Sequence, residues 1–336
     1  MQKLLTIVVP VYKVERYINK CLDSCVIYKE DGSLDEEKMN RLEVIIVNDG
    51  TPDRSAELSR EYTIRYPQTF RQIDKENGGH GSAWNVGLKE ATGKYLRFLD
   101  SDDWLTNLDK LMDSLVCTEA DVVLTHLNNF HEDTETTNEW IITDGPFNRV
   151  TPISEFSFSA FRNKTNVFNF LFATYRTVIF SPFKKLFMEG TMYDDSILYS
   201  FPFFFAKSYL CLDIVLYNYL SGRAGQSMSC EVKKKNIQKL LDTYLYEMNF
   251  IEKYKLCSPP MDSIYEIMAS DSCYLISMLV YYDWIHFKLA MNQIRPYLHL
   301  DSFIWNIRGK QARRFVRLPL FWFFAFEKAR QTLRKW

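Results

Sequence analysis

Through the first 125 residues, short aliphatic and β-branched runs alternate with stretches of helical spacing, and the runs end in polar or turn-forming residues. The runs Leu4–Val9, Glu43–Val47, Phe70–Ile73 and Tyr95–Leu99, with another beginning at Asp121–Leu124, read as strands. Helical spacing covers Tyr17–Cys25, Ser55–Tyr66, Ala83–Ala91 and Leu105–Val116, with Ser55 as a cap and Gly93 at a helix exit. Such alternation predicts a mostly parallel sheet covered by helices, because parallel neighbours need crossover connections. The continuous apolar character of Leu4–Val9 suits a strand buried on both faces. Residues 28–41, rich in Lys, Asp and Glu, read as a polar surface loop.

The period fades beyond residue 126. Residues 128–190 read as an insertion of short strands and a helix, and Tyr209–Leu216 as a further strand. From 231 onward the pattern is helical. The chain therefore divides, on sequence, into an α/β domain over 1–230 and a helical region over 231–336. With 47% hydrophobic residues in 336, it can bury a large core, which excludes a disordered chain. Seven scattered cysteines without a CxxC pair read as reduced thiols, consistent with a cytoplasmic location. The N-terminus lacks the pattern of a secretory leader, and no uncharged run exceeds 11 residues, short of a membrane span.

Ligands of an open α/β sheet bind beyond the carboxyl ends of its strands. Three clusters fall there: Pro10-Val11-Tyr12, Asn48-Asp49-Gly50 and Asp100-Ser101-Asp102-Asp103. A loop, Asn77-Gly78-Gly79-His80-Gly81, precedes a helix, where free backbone N–H groups can face an anion. Each cluster also has a plain structural reading. With 22 Asp in the chain, chance alone supplies roughly one DxD. Asp-Gly is most often a turn, and a glycine-rich loop is most often only flexible. The dinucleotide pattern GxGxxG and the phosphate-loop pattern GxxxxGK[ST] are absent. Five histidines show no HxxH or HExxH spacing, so a zinc site is not expected.

Taken in order, the motifs are more specific than any one of them. They run Val9-Pro10-Val11-Tyr12, Val44-Ile45-Ile46-Val47-Asn48-Asp49-Gly50-Thr51, Glu76-Asn77-Gly78-Gly79-His80-Gly81-Ser82-Ala83-Trp84-Asn85 and Phe98-Leu99-Asp100-Ser101-Asp102-Asp103-Trp104. This series resembles the inverting family-2 glycosyltransferases of GT-A fold that build bacterial polysaccharides and glycans. The resemblance covers 4–127 and resumes at Thr174–Thr177, Tyr193-Asp194-Asp195 and 217–229. It implies that Pro10, Val11, Tyr12 and Asp49 hold the nucleotide base and that Asn77, Gly78, Gly79, Ser101 and Arg223 line the nucleotide-sugar site. It implies that Asp102, with Asp100 beside it, ligates Mn²⁺ or Mg²⁺, a hard cation that neutralises a diphosphate leaving group. Asp103 would point the other way on an extended chain. An inverting transfer also needs a general base for the acceptor hydroxyl. The resemblance assigns this to Asp195, with Asp194 as the alternative; a helix cap starting at Ser196 is the structural reading of the same pair. Lys184 and Lys185 are weaker candidates for the diphosphate loop.

The implied partners are a nucleotide-sugar donor, commonly a UDP-sugar, and a glycan or lipid-linked acceptor, with no nucleic acid. The QxxRW signature of processive synthases is missing, so one sugar per encounter is expected. A silent nucleotide-sugar-binding module and a sugar-nucleotide pyrophosphorylase are the alternatives; the latter needs an arginine- and glycine-rich first loop that Pro10-Val11-Tyr12-Lys13 is not. Charge adds one more feature. Residues 303–336 hold nine basic side chains against one acid, +8, leaving −9 on residues 1–302 of a chain with net charge −1. Aromatics at 315, 321–324 and 326 lie between its basic clusters. Such a tail suits peripheral attachment to the inner face of the cell membrane; packing on the fold or docking a partner subunit is the alternative.

Overall fold

A computed structural model describes residues 2–142, 146–156, 170–183, 185–190, 197–198, 201–222, 236–254, 279 and 284–294. The chain divides into two compact units, Met1–Ala224 and Gly225–Trp336. The first is built on a ten-stranded sheet. Its first half alternates as the sequence predicts: β1 (Leu5–Val11), α1 (Ile18–Asp23), α2 (Glu36–Arg41), β2 (Leu42–Asn48), α3 (Ser55–Arg65), β3 (Phe70–Asp74), α4 (His80–Glu90), β4 (Tyr95–Phe98), β5 (Trp104–Leu105), α5 (Leu108–Cys117). The second half adds β6 (Val122–His131), β7 (Thr136–Trp140), β8 (Thr151–Pro152), β9 (Ala173–Arg176), α6 (Phe201–Phe205) and β10 (Ser208–Ser221).

The sheet order is β3-β2-β1-β4-β9-β6-β10-β5, with β7 on β6 and β8 on β10. Strands β1 to β4 pair in parallel; β9 is antiparallel to both β4 and β6, so β6 keeps their direction, and β10 is parallel to β6. Six of the ten strands thus run one way. Every residue of β1 is buried, as its unbroken apolar run requires. Helix α4 crosses β1 so closely that a Cβ on Gly87 would stand 2.1 Å from Val8 Cγ1, so a side chain there would displace the helix.

Four local expectations are corrected. Ser55 is the first residue of α3, not its cap: its Oγ accepts from Val14 N at 2.9 Å, while Asp53 Oδ1 accepts from Ser55 N. Residues 28–41 are not all loop, because Asp35 caps α2 by accepting from Lys38 N. Trp104-Leu105 pairs with β10 instead of opening α5. Helix α4 begins at His80, three residues before Ala83, and the His80 ring packs 4.0 Å from Trp84. The second unit contains α7 (Ile237–Tyr254) and α8 (Trp284–Ile294). Among the described residues no helix is long and apolar enough to cross a membrane.

Candidate active site

Because β1, β2 and β4 are parallel and in register, their carboxyl ends fall on one edge of the sheet. The three sequence clusters meet there. Pro10 and Val11 lie buried inside β1, so of the expected base-contacting trio Tyr12 alone is exposed, at 42%. Lys13, with φ 57°, turns the chain away, and its N–H donates to Thr51 Oγ1 at 2.8 Å. That leaves the Tyr12 ring at the rim, free to lie against a flat apolar group.

Asp49 directly follows β2. It is 2% exposed, and its carboxylate accepts from Gly78 N at 2.9 Å, Gly79 N at 2.8 Å and Lys75 Nζ at 2.6 Å. Both oxygens are therefore committed to the loop before α4. Asn77 Nδ2 adds a bond to Asp49 O at 3.0 Å. Gly50 (φ 65°) lets the two loops approach, since a Cβ there would stand 2.9 Å from Asn77 N. Asp49 and Lys75 thus fix Gly78 and Gly79, and sequence reasoning missed the lysine.

The acidic turn follows β4. Asp103 N bonds Asp100 O at 3.0 Å, closing the turn. Asp103 is buried, and its carboxyl accepts from Tyr217 Oη at 2.6 Å and Leu220 N at 2.7 Å. Burial, reinforced by the charges of Asp102 and Asp100, pushes its pKa well above the usual carboxylate range, and the two donors pull against that shift. The Tyr217 hydroxyl also accepts from Asp100 N at 3.2 Å, so one buried phenol holds both ends of the turn. Burial pushes that phenol's pKa upward as well, with the Asp103 charge acting in the same sense. Ser101 is buried in the turn, while Asp100 and Asp102 stay partly open to solvent. Asp100 Oδ1 lies 3.1 Å from His80 Nε2.

Asp100 and Asp102 offer hard oxygen donors at the sheet edge. Among the described residues no group of three or more His, Cys, Asp or Glu is set to hold a metal. A pair of accessible carboxylates fits Mg²⁺ or Mn²⁺ that takes its other oxygens from phosphate and water.

Arg97, three residues before the turn, was not anticipated. It is fully buried and donates to Ala173 O, Thr174 Oγ1 and Leu171 O, with its guanidinium 5.4 Å from the Tyr217 ring. Burial lowers its pKa to about 10. It bridges β4 to the start of β9, backing the turn from within. Only its place inside an apolar strand could have flagged it.

Asp194, Asp195, Lys184, Arg223 and residues 303–336 lie outside the described residues. The chain entering the Asp194-Asp195 segment is nonetheless anchored. Asn85 Oδ1 accepts from Leu186 N and Phe187 N at 3.0 and 2.9 Å, its Nδ2 donates to Phe187 O at 2.8 Å, and Gly190 N donates to Gly78 O at 2.9 Å. Lys185 pairs with Glu189 at 3.0 Å.

The glycine loop, the acidic turn and the parallel edge thus meet at one end of the sheet. The family model described as Glycosyl transferase family 2 matches residues 6–187, more than half of the chain. The chain belongs to this family. Glycosyltransferase GlyA of Streptococcus pneumoniae is 34% identical over 130 residues, which are 38% of this chain and 17% of GlyA. The uncharacterized glycosyltransferase EpsJ of Bacillus subtilis is 40% identical over 107 residues, 32% of this chain and 28% of EpsJ. The matched segments cover less than a third of either relative. The crystal structure of S. aureus TarS 1-349 in complex with UDP-GlcNAc aligns with a TM-score of 0.52 at 18% identity, covering 94% of this chain and 91% of that one. This family-2 chain therefore shares the GT-A fold.

Proposed function

We propose that this family-2 chain transfers one sugar from a nucleotide-sugar, most simply a UDP-sugar, to a hydroxyl of a glycan or lipid-linked glycan, with inversion. The observation that carries the reading is the acidic turn: Asp103 is locked inward by Tyr217 and Leu220, so Asp100 and Asp102 remain at the solvent-facing edge beside the loop that Asp49 holds. Support comes from the family match and from TarS, crystallised with UDP-GlcNAc and with UDP on a similar fold.

In this reading Tyr12 packs on the base, and the N-terminal end of helix α4, set by the Gly78-Gly79 loop, faces the phosphates. Asp49 acts as a positioning residue for that loop. Asp102 and Asp100 would hold Mn²⁺ or Mg²⁺, which neutralises charge developing on the leaving diphosphate. Asp195 takes the proton of the attacking hydroxyl. Arg223 reaches over the diphosphate, and the 303–336 tail lies on the anionic inner face of the membrane, with each basic residue near it contributing about 1 kcal/mol.

Calorimetric titration of UDP with and without Mn²⁺ tests the site. Mn²⁺ should tighten UDP binding to the wild-type chain, and Asp102→Asn should abolish that dependence with secondary structure intact. Unchanged metal dependence in the variant refutes the assignment. UDP binding without turnover of any UDP-sugar toward any acceptor would favour a silent binding module. Truncation at residue 310 should release the chain from anionic vesicles in a sedimentation assay at low salt; equal sedimentation of both forms removes the membrane role.

A further inference from the structure

Tyr217 ties the acidic turn to the far half of the sheet, and the face of β10 that carries it continues away from the turn. Side chains alternate across a strand, so Tyr217, Tyr219 and Ser221 share one face. The register Tyr219↔Asn129 and Ser221↔His131 brings Asn129 and His131 of β6 onto it, and Trp140 of β7 joins through Leu127, which opposes both Tyr217 and Trp140. Leu220 N, between Tyr219 and Ser221, bonds Asp103 Oδ1 at 2.7 Å. The face therefore begins one residue from the turn.

Its chemistry is uncharged, polar and aromatic. Ser221 Oγ donates to Asn129 Oδ1 at 2.7 Å and so receives the proton of His131 Nδ1 at 2.8 Å; Asn129 Nδ2 completes the ring at 3.3 Å from His131 Nε2. These bonds hold the three side chains in place. They leave one amide N–H and one oxygen lone pair of Asn129 unused. Beside them the Trp140 and Tyr219 rings lie 6.5 Å apart, inclined at 37°. Asn129 is 7% exposed, whereas Ser221, His131, Tyr219 and Trp140 are partly open to solvent. Rigid amphipathic rings next to pre-set amide and hydroxyl groups match a sugar, which presents a C–H face and a rim of hydroxyls.

We propose that this face is the subsite for the acceptor sugar, with Trp140 and Tyr219 as the platform and Asn129 and Ser221 reading its hydroxyls. The proposal rests on the sugar-transfer reading above and assigns the acceptor a side of the turn. Saturation-transfer NMR on the full chain, with UDP and Mn²⁺ present, tests it using methyl glycosides of glucose, galactose, mannose, N-acetylglucosamine and N-acetylgalactosamine. At least one should receive saturation from the wild-type chain. Trp140→Ala and Ser221→Ala should each weaken that signal by about fivefold, the size of one such contact, with UDP affinity unchanged. If Trp140→Ala fails to fold, Ser221→Ala decides. A wild-type chain that binds UDP but none of the glycosides, or undiminished signal in the folded variants, overturns the proposal. If UDP itself does not bind, the nucleotide-sugar reading fails and this proposal falls with it.

Discussion

Replacing Tyr217 by Phe deletes one oxygen and keeps the ring, including its contact with the Arg97 guanidinium at 5.4 Å. The deleted hydroxyl makes two bonds in a fully buried site: it donates to Asp103 Oδ2 at 2.6 Å and accepts from Asp100 N at 3.2 Å. The Asp103 carboxyl, buried, cannot turn to bulk water instead. A hydrogen bond to an ionisable partner contributes about 1.5–3 kcal/mol, and a backbone N–H left unpaired costs about 1–3 kcal/mol. Allowing for relaxation, Tyr217→Phe should destabilise the first unit by about 2–4 kcal/mol, read from urea unfolding followed by circular dichroism. The cost should depend on pH. Burial already holds the Asp103 pKa above its unfolded value, and the Tyr217 bond is one of the two hydrogen bonds pulling it back down. Stability tied to a raised carboxyl pKa is present at low pH and lost as pH rises through the folded value. Removing the donor raises that value further, so the penalty should grow as pH rises through the wild-type folded value. It should also loosen Asp100 and weaken the Mn²⁺ dependence of UDP binding. A penalty below about 0.5 kcal/mol, or one that shrinks as pH rises, would refute the view that this hydroxyl holds the turn.

Asp195→Asn should lower sugar transfer by about 10²–10⁴-fold while leaving UDP affinity nearly unchanged; if Asp194→Asn is the crippling change, the base is its neighbour. Tyr95 is buried with its hydroxyl on Thr118 O at 2.9 Å, and burial pushes its pKa up to about 12. Tyr175 and Tyr217 are raised too. Their contribution to stability is therefore full below the ordinary tyrosine value near 10 and is lost as pH climbs toward 12. Absorbance at 295 nm should show part of the 20 tyrosines ionising normally and the rest only as circular dichroism collapses. A single ordinary titration with the fold intact would contradict this. Among the described cysteines, Cys117 is exposed whereas Cys21, Cys25 and Cys211 are buried with thiol pKa values pushed up. Iodoacetamide should label Cys117 much faster in the native chain, as peptide mapping would report; equal labelling of Cys21 would refute its burial.

How far the sequence could be read depended on the range of each interaction. The first four strands, three of the helices at their cores, and the placement of Tyr12, Asp49 and Asp100–Asp103 beyond strand ends were legible, because side-chain period and turn chemistry act over a few residues. Ser101, Asn77, Gly78 and Gly79 were legible as members of those turns. What Asp49 bonds was not, because its partner Lys75 lies 26 residues away on another strand end. Strand order beyond β4 was not legible either: the two-residue β5 pairs with β10, whose Asn218 lies opposite Trp104. The same holds for Tyr217 on Asp103, 114 residues apart, and for Asn85 on Phe187, 102 residues apart. The sequence alone determined a parallel α/β sheet and an acidic turn at its edge, since those follow from local pattern. That Asp103 points away from Asp102 follows from alternation along the chain, but what holds it inward was decided only by the tertiary structure, because a buried carboxyl must find its donors, and both donors to Asp103 arrive from β10, at the other end of the domain's sequence.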